Sequence, residues 1–154
     1  MATEIERKFL VKNDGWRGLG EGTVFIQGFL STVKQRVVRV RIAGNIGTLT
    51  IKGANNGITR CEYEYEIPLK DAELMLNDLC EKPVIEKTRY RIQHGNHIWE
   101  VDEFEGVNKG LIVAEIELMD ANQPFEKPDW VGQDVSDDDR YFNSNLIKHP
   151  FSNW

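Results

Sequence analysis

The stretch Thr3-Glu4-Ile5-Glu6-Arg7-Lys8-Phe9-Leu10-Val11 decides how the rest of the chain is read. In an extended strand successive side chains point to opposite faces, so Glu4, Glu6 and Lys8 share one face. Ile5 and Phe9 lie on the other, with Arg7 between them. Taken alone, this is the pattern of a half-buried strand with one wet face.

The pattern then recurs. VVRVRIA sets Arg39 and Arg41 against Val38, Val40 and Ile42, and LTIKG sets Thr50 and Lys52 against Leu49 and Ile51. CEYEYEI sets Glu62, Glu64 and Glu66 against Tyr63, Tyr65 and Ile67, and EKTRYRI sets Lys87, Arg89 and Arg91 against Tyr90 and Ile92. IWEVDEF and IVAEIEL do the same with Glu100 and Asp102, and with Glu115 and Glu117. Strands are expected over 3–11, 23–30, 36–43, 47–53, 60–67, 85–94, 97–104 and 111–119. Turn chemistry separates them at Asp14-Gly15, Gly44-Asn45, Asn56-Gly57, Gly95-Asn96 and Asn108-Lys109-Gly110. A helix is expected over 71–81, capped by Asp71, with Ala72, Met75, Leu76 and Leu79 at helical spacing and Pro83 beyond its end. A second short helix is expected after Ser136, with Asp137, Asp138 and Asp139 in its first turn.

Two architectures fit this alternation. An open sheet could turn its apolar face to helices and its charged face to water. Alternatively, a sheet of about eight strands could close on itself and line its interior with the charges, leaving no edges. Periodicity leaves both open. The segregation of sign favours closure, because a merely solvated face intersperses charges to limit repulsion. Here cations gather on the strands of Arg39/Arg41, Lys52 and Lys87/Arg89, and carboxylates on those of Glu4/Glu6, Glu62/Glu64 and Glu115/Glu117. Hard divalent cations take carboxylate oxygens, and phosphates take Arg and Lys, so a metal–polyphosphate site would use both groups.

Composition excludes several classes. The 154 residues, 40% hydrophobic and 10% aromatic, suffice for one core and are read as a single domain, 1–154. A formal net charge of −6 gives no basic footprint for duplex nucleic acid. Cys61 and Cys80 are not in CxxC spacing, which suits a reduced, cytoplasmic protein. No signal peptide opens the chain, and no apolar run approaches the ~20 residues that span a bilayer, so a membrane partner is not expected. No Gly-rich loop ends in GK[ST], which excludes a Walker phosphate loop. His94 and His97 flank a hairpin turn and read as exposed, and neither they nor His149 are read as metal ligands. Cys61 falls on the apolar side of its strand. Trp99, Tyr63, Tyr65 and Tyr90 read as outward packing.

TEIERKFLV resembles the ExExK signature that opens the CYTH superfamily, the triphosphate tunnel metalloenzymes. IQGFL, RVR, TIK, EYEYEI, EKTRYR, WEVDEF and AEIEL follow in the order of that family's landmarks, and DDRYFNSNL resembles the closing segment of its small bacterial members. The resemblance implies an α+β fold, a closed eight-stranded antiparallel β-barrel with helices packed outside. It implies Mg²⁺ or Mn²⁺ on Glu4, Glu6, Glu115 and Glu117. Lys8, Arg39, Arg41, Lys52, Lys87 and Arg89 match the residues that hold the phosphates. Lys8, Glu64 and Asp102 match positions close to the chemistry, and Glu62 is a further tunnel acid. Water positioning, a second metal and support of the basic residues all remain open as roles for Glu62, Glu64 and Asp102. One departure stands out: relatives often read QGYL on the second strand, whereas this chain has Gln27-Gly28-Phe29-Leu30. Phe29 has no hydroxyl to set beside Lys8.

The activity expected from the resemblance is metal-dependent hydrolysis of inorganic triphosphate to pyrophosphate and phosphate. The alternatives are a class IV-type adenylyl cyclase, another organic triphosphatase (thiamine triphosphate or a nucleotide), and a polyphosphate- or nucleotide-binding module without turnover. A base pocket would have to come from loops 12–22, 53–59 and 120–135, through Trp16 or Trp130. The oligomeric state, a homodimer among the options, is left open.

Overall fold

The computed structural model describes residues 2–154. Nine strands form in chain order: β1 (Ala2–Val11), β2 (Gly22–Ser31), β3 (Val37–Ala43), β4 (Ile46–Lys52), β5 (Thr59–Ile67), β6 (Ile85–His94), β7 (His97–Phe104), β8 (Ile112–Glu117) and β9 (Val131–Asp134). Two helices accompany them, α1 (Leu69–Asp78) and α2 (Asn143–Lys148). Hydrogen-bonded neighbours run β5-β4-β3-β2-β6-β7-β8-β1, and β5 pairs with β1 to close the ring. Every pairing is antiparallel. The eight expected strands and their closure are therefore present, and the charged faces turn inward.

β9 is the strand that alternation did not announce, because it is four residues long and carries Gly132. β1 explains its place. One edge of β1 meets β8, and the other is shared, with residues 2–5 on β5 and residues 9–11 on β9. Between them Lys8 donates its backbone N–H to the Ser136 hydroxyl at 2.8 Å and accepts from Val135 N–H at 2.8 Å. The segment after β9 is thus laced onto the strand that carries the signature. On the outer side Arg7 pairs with Asp134.

The core lies in three places. Outside β1, β6, β7 and β8, loops 12–21 and 120–131 cover Phe9, Ile92, Trp99, Val101, Ala114 and Ile116 with Trp16, Phe125 and Trp130. Outside β2–β4, α1 buries Ala72, Leu76 and Cys80 against Val40 and its neighbours. The approach is close because Gly47 on β4 presents no side chain; a Cβ there would stand 2.9 Å from that of Ala72. At one end of the barrel the inward-facing Phe29, Val37, Ile85, Phe104 and Val113 pack with Tyr141, Leu146 and Ile147. α2 and the turn before it therefore cover part of that end.

The helix expectations need correction. α1 starts at Leu69 behind Pro68, which stands at the N-cap with its carbonyl accepting from Ala72 N–H at 3.1 Å, and no side chain caps the helix. Asp71 lies in the first turn and favours the positive end of the helix dipole. The helix stops at Asp78, so Leu79 swings out to 66% exposure and Cys80 takes the buried place. After Ser136 the chain makes a 3-10 turn over Asp139–Tyr141, with the Asp138 carboxylate accepting from the Arg140 N–H, and α2 begins only at Asn143. A single turn cannot use three aspartates at one dipole end. Among the described residues no helix is long and apolar enough to cross a membrane.

Candidate active site

The barrel encloses a cavity of about 250 Å³, just below the small end of ligand cavities, which run roughly 300–1,000 Å³. Twelve of the thirteen residues singled out from sequence line it: Glu4, Glu6, Lys8, Arg39, Arg41, Lys52, Glu62, Glu64, Lys87, Arg89, Glu115 and Glu117. Asp102 does not. It lies fully buried behind Lys87 and Arg89, with Lys87 Nζ at 2.7 Å and Arg89 Nε at 2.7 Å. Burial would raise the Asp102 carboxyl, but those two cations outweigh it and hold it below its ordinary range.

Several wall residues were not anticipated. Arg60 precedes the quoted CEYEYEI run but shares its inward parity with Glu62 and Glu64, and it reaches Glu4 at 3.6 Å. Glu100 lies inward opposite Glu115 and meets Arg89 at 3.5 Å. Ser136, Phe142, Asn143 and Ser144 enter from the C-terminal segment, where no periodicity marks them. Thr50, fully buried on β4, links Arg39 to Glu64, accepting from Nη2 at 3.2 Å and donating at 3.0 Å. Lys8 Nζ donates to the Tyr141 carbonyl at 3.3 Å. Lys8 also stands 4.0 Å from Glu115 and 5.9 Å over the Phe142 ring.

Charge is strained in two places. Seven carboxylates and seven basic side chains line the cavity, so it suits neither a bare anion nor a bare cation. The first strained place is acidic. Burial, then the adjacent Glu115, pushes the Glu6 carboxyl well above its ordinary value. Burial works the same way on Glu115, but Lys8, the hydrogen bond shared with Glu6, and Arg89 hold it well down. Crowding of two buried carboxyls thus drives the pair apart, Glu6 upward and Glu115 downward. Glu4 and Glu62 form a second such pair. Burial and its contact with Glu4 raise Glu62 to about 7. Burial is outweighed at Glu4 by Lys52, 3.0 Å away, and Arg60, which keep it far below the carboxylate range. That ammonium donates to Glu4 Oε1 at 3.3 Å, while Oε2 is buried without a hydrogen bond.

The second strained place is basic. Burial, then Arg39 and Arg89, presses the Arg41 guanidinium well below its ordinary value, and Arg39 Nε is buried without a partner. An arginine keeps its charge, so these groups describe a place for an anion.

A closed antiparallel barrel with an acid-and-base-lined interior defines a class: enclosed sites for a polyanion with its counter-cation. The chain belongs to the CYTH domain family, whose model matches residues 2–145. It is 52% identical over 154 residues to the inorganic triphosphatase of Acetivibrio thermocellus, covering 100% of this chain and 99% of that protein. It is 37% identical over 151 residues to the inorganic triphosphatase of Nitrosomonas europaea, covering 94% and 96%. Among solved structures, an inorganic triphosphatase superposes with a TM-score of 0.68 at 32% identity, over 94% of this chain and 97% of that one.

The family implies a divalent metal, and the acids fit one. Among the described residues no three acidic, histidine or cysteine side chains gather tightly enough to cage an ion unaided. That suits a hard cation whose shell is completed by substrate phosphates and water beside the carboxylates. The raised Glu6 carboxyl beside Glu115 marks where negative charge crowds.

Proposed function

We propose that this chain hydrolyses inorganic triphosphate to pyrophosphate and phosphate in the barrel cavity, with Mg²⁺ or Mn²⁺ as cofactor. The observation that carries this reading is the meeting, in one small cavity, of seven carboxylates with seven basic side chains, largely segregated by strand. The relatives named inorganic triphosphatase, matched over essentially their whole lengths, support it.

In this reading Arg39, Arg41, Lys52, Lys87, Arg89 and Lys8 bind the phosphate oxygens, and Arg60 adds a seventh cation. Glu4, Glu6, Glu115 and Glu117 would hold the metal, which would supply positive charge against the phosphates. Asp102 acts from behind the wall: it orients Lys87 and Arg89 and touches no substrate. Glu64, through Thr50, does the same for Arg39 while one side faces the cavity. Glu62 completes the acid side beside Glu4. Fixed charges preorganised in this way stabilise the charge that spreads over phosphoryl oxygens during transfer to water. The reaction breaks the terminal P–O–P bridge as water adds to phosphorus. We place it in the cytoplasm, in one domain over 1–154, with a free small-molecule substrate; the two unpaired cysteines suit that setting.

The deciding experiment follows phosphate release from triphosphate, ATP, thiamine triphosphate and pyrophosphate with Mg²⁺ or Mn²⁺, with cyclic AMP measured in the same samples. Steady release from triphosphate is expected. Cyclic AMP formation, or tight binding without product, would overturn the assignment.

A further inference from the structure

The inward side of β2 carries Phe25, Gln27 and Phe29, two rings around one amide. Gln27 is fully buried, and it does not line the cavity. A buried amide is costly unless both ends are bonded, and both are. Its Oε1 accepts from Arg41 Nε at 2.8 Å, and its Nε2 donates to Asn143 Oδ1 at 2.8 Å. The same Asn143 oxygen accepts from Lys87 Nζ at 3.0 Å. A continuous chain Arg41–Gln27–Asn143–Lys87 thus joins β3, β2, the first residue of α2 and β6.

Two features give this chain a purpose beyond satisfying a buried polar group. Arg41 is held by Nε, so both terminal nitrogens are without a hydrogen-bond partner among the described residues and remain available as a fork for phosphate. Arg41 and Lys87 also stand on strands that are not neighbours, since β2 lies between them. The Phe25 ring floors the gap, 4.6 Å from the Arg41 guanidinium and 5.8 Å from the Lys87 ammonium. It supports both cations but cannot fix their separation; directed hydrogen bonds can.

We propose that Gln27 and Asn143 are positioning residues that set the span between Arg41 and Lys87, so that the two cations grip different phosphoryl groups of one substrate. The proposal rests on the triphosphatase reading. It makes the C-terminal segment, through Asn143, part of the grip on polyphosphate, although Gln27 touches no substrate. A ligand long enough to reach both cations feels the relay; orthophosphate, which one cation can hold, does not.

The test compares Gln27→Leu, Asn143→Ala and the double variant in KM and kcat for inorganic triphosphate, with pyrophosphate and orthophosphate as inhibitors. Melting temperatures are recorded alongside. Losing a hydrogen bond to a charged group is expected to raise KM for triphosphate about tenfold, with kcat less affected. Pyrophosphate inhibition should weaken with it, while orthophosphate inhibition stays unchanged. The double variant should be no worse than the poorer single, because either substitution already breaks the chain. Lower melting temperatures with wild-type KM would reject the proposal, and so would effects that multiply in the double variant. If Gln27→Leu does not fold, Asn143→Ala decides by the same split between KM and kcat. If the wild type releases no phosphate from triphosphate, the functional reading falls, and calorimetric binding of pyrophosphate to wild type and Asn143→Ala decides the relay separately: weaker binding to the variant supports it, and equal binding rejects it.

Discussion

At the scale of single residues, the acids of β1 answer to charge more than to shape. Glu4→Gln and Glu6→Gln keep the side-chain outline and remove the negative oxygen that a hard cation needs, so each should abolish divalent-dependent phosphate release while the fold persists. Circular dichroism with the phosphate assay checks this, and wild-type turnover at limiting Mg²⁺ would contradict it. Glu62 gives a separate signature in the metal-free protein. Burial and its contact with Glu4 raise it from the ordinary 4.5 to about 7. A carboxyl raised in the folded state binds its proton more tightly there than in the unfolded chain. Its contribution is therefore full below about pH 4.5 and is lost as the pH climbs through about 7. Glu62→Gln should flatten the fall in apo melting temperature across that window and leave the variant more stable than wild type at pH 8, by about 1 kcal/mol once solvent screening of this partly exposed group is discounted. Thermal scans from pH 4 to 8 would show it, and parallel curves for the two proteins would refute it.

At the scale of elements, alternation identified all eight barrel strands because period two is imposed on every strand that separates a charged interior from an apolar coat. Arg39/Arg41 and Glu115/Glu117 were legible for that reason. β9 was not, since four residues with a glycine carry too little alternation to register. Arg60 opens the expected strand 60–67 and shares the parity of Glu62, but it precedes the alternating CEYEYEI run that carried the site assignments, and Gln27 was hidden as the one amide between two phenylalanines. Asn143 and Phe142 sit beside a short helix whose position depends on tertiary docking over Phe29 and Ile85, which no local pattern encodes. Helix boundaries failed where propensity and context disagreed: Leu79 kept the helical spacing, but the helix had already ended. The packing of α1 is itself testable. A Cβ at Gly47 would lie 2.9 Å from that of Ala72 and 3.2 Å from the Ile67 carbonyl oxygen. Gly47→Ala should therefore cost about 1–3 kcal/mol by overpacking, read from denaturant unfolding. KM should not change, because this contact lies on the outer face; a shift in KM without loss of stability would contradict that placement.

At the scale of the whole molecule, closure turns scattered charges into one enclosed field, and occupancy should be felt by the entire fold. At a free concentration of 100 times the dissociation constant, one-site linkage raises stability by roughly 2.7 kcal/mol. Triphosphate with Mg²⁺ should accordingly raise the melting temperature clearly, whereas an unchanged scan at millimolar ligand would refute an enclosed site. Enclosure also bears on which triphosphate is used. The sequence left Trp16 and Trp130 as sources of a base pocket, but both are buried on the outer side of the barrel, Trp16 against Tyr90 and Trp130 against Trp99. Two rings do reach the cavity wall. Phe29 is 3% exposed within the packed end, so neither of its faces is free to stack. Phe142 stands over Lys8, among the phosphate-facing cations, where a purine would displace the phosphates from their own contacts. Purine recognition rests on a stacking surface or directed hydrogen bonds, and the remaining wall is mainly charged, with Asn55, Ser136, Asn143 and Ser144 as its uncharged polar groups. A nucleoside must then project from the cavity with little to hold it, and cyclisation would further need a ribose hydroxyl in line with the α-phosphorus. Inorganic triphosphate should therefore be turned over with a kcat/KM well above that for ATP. Measuring both under the same Mg²⁺ concentration decides the matter: equal values, or a preference for ATP, would mean that a base is bound by groups this cavity does not show.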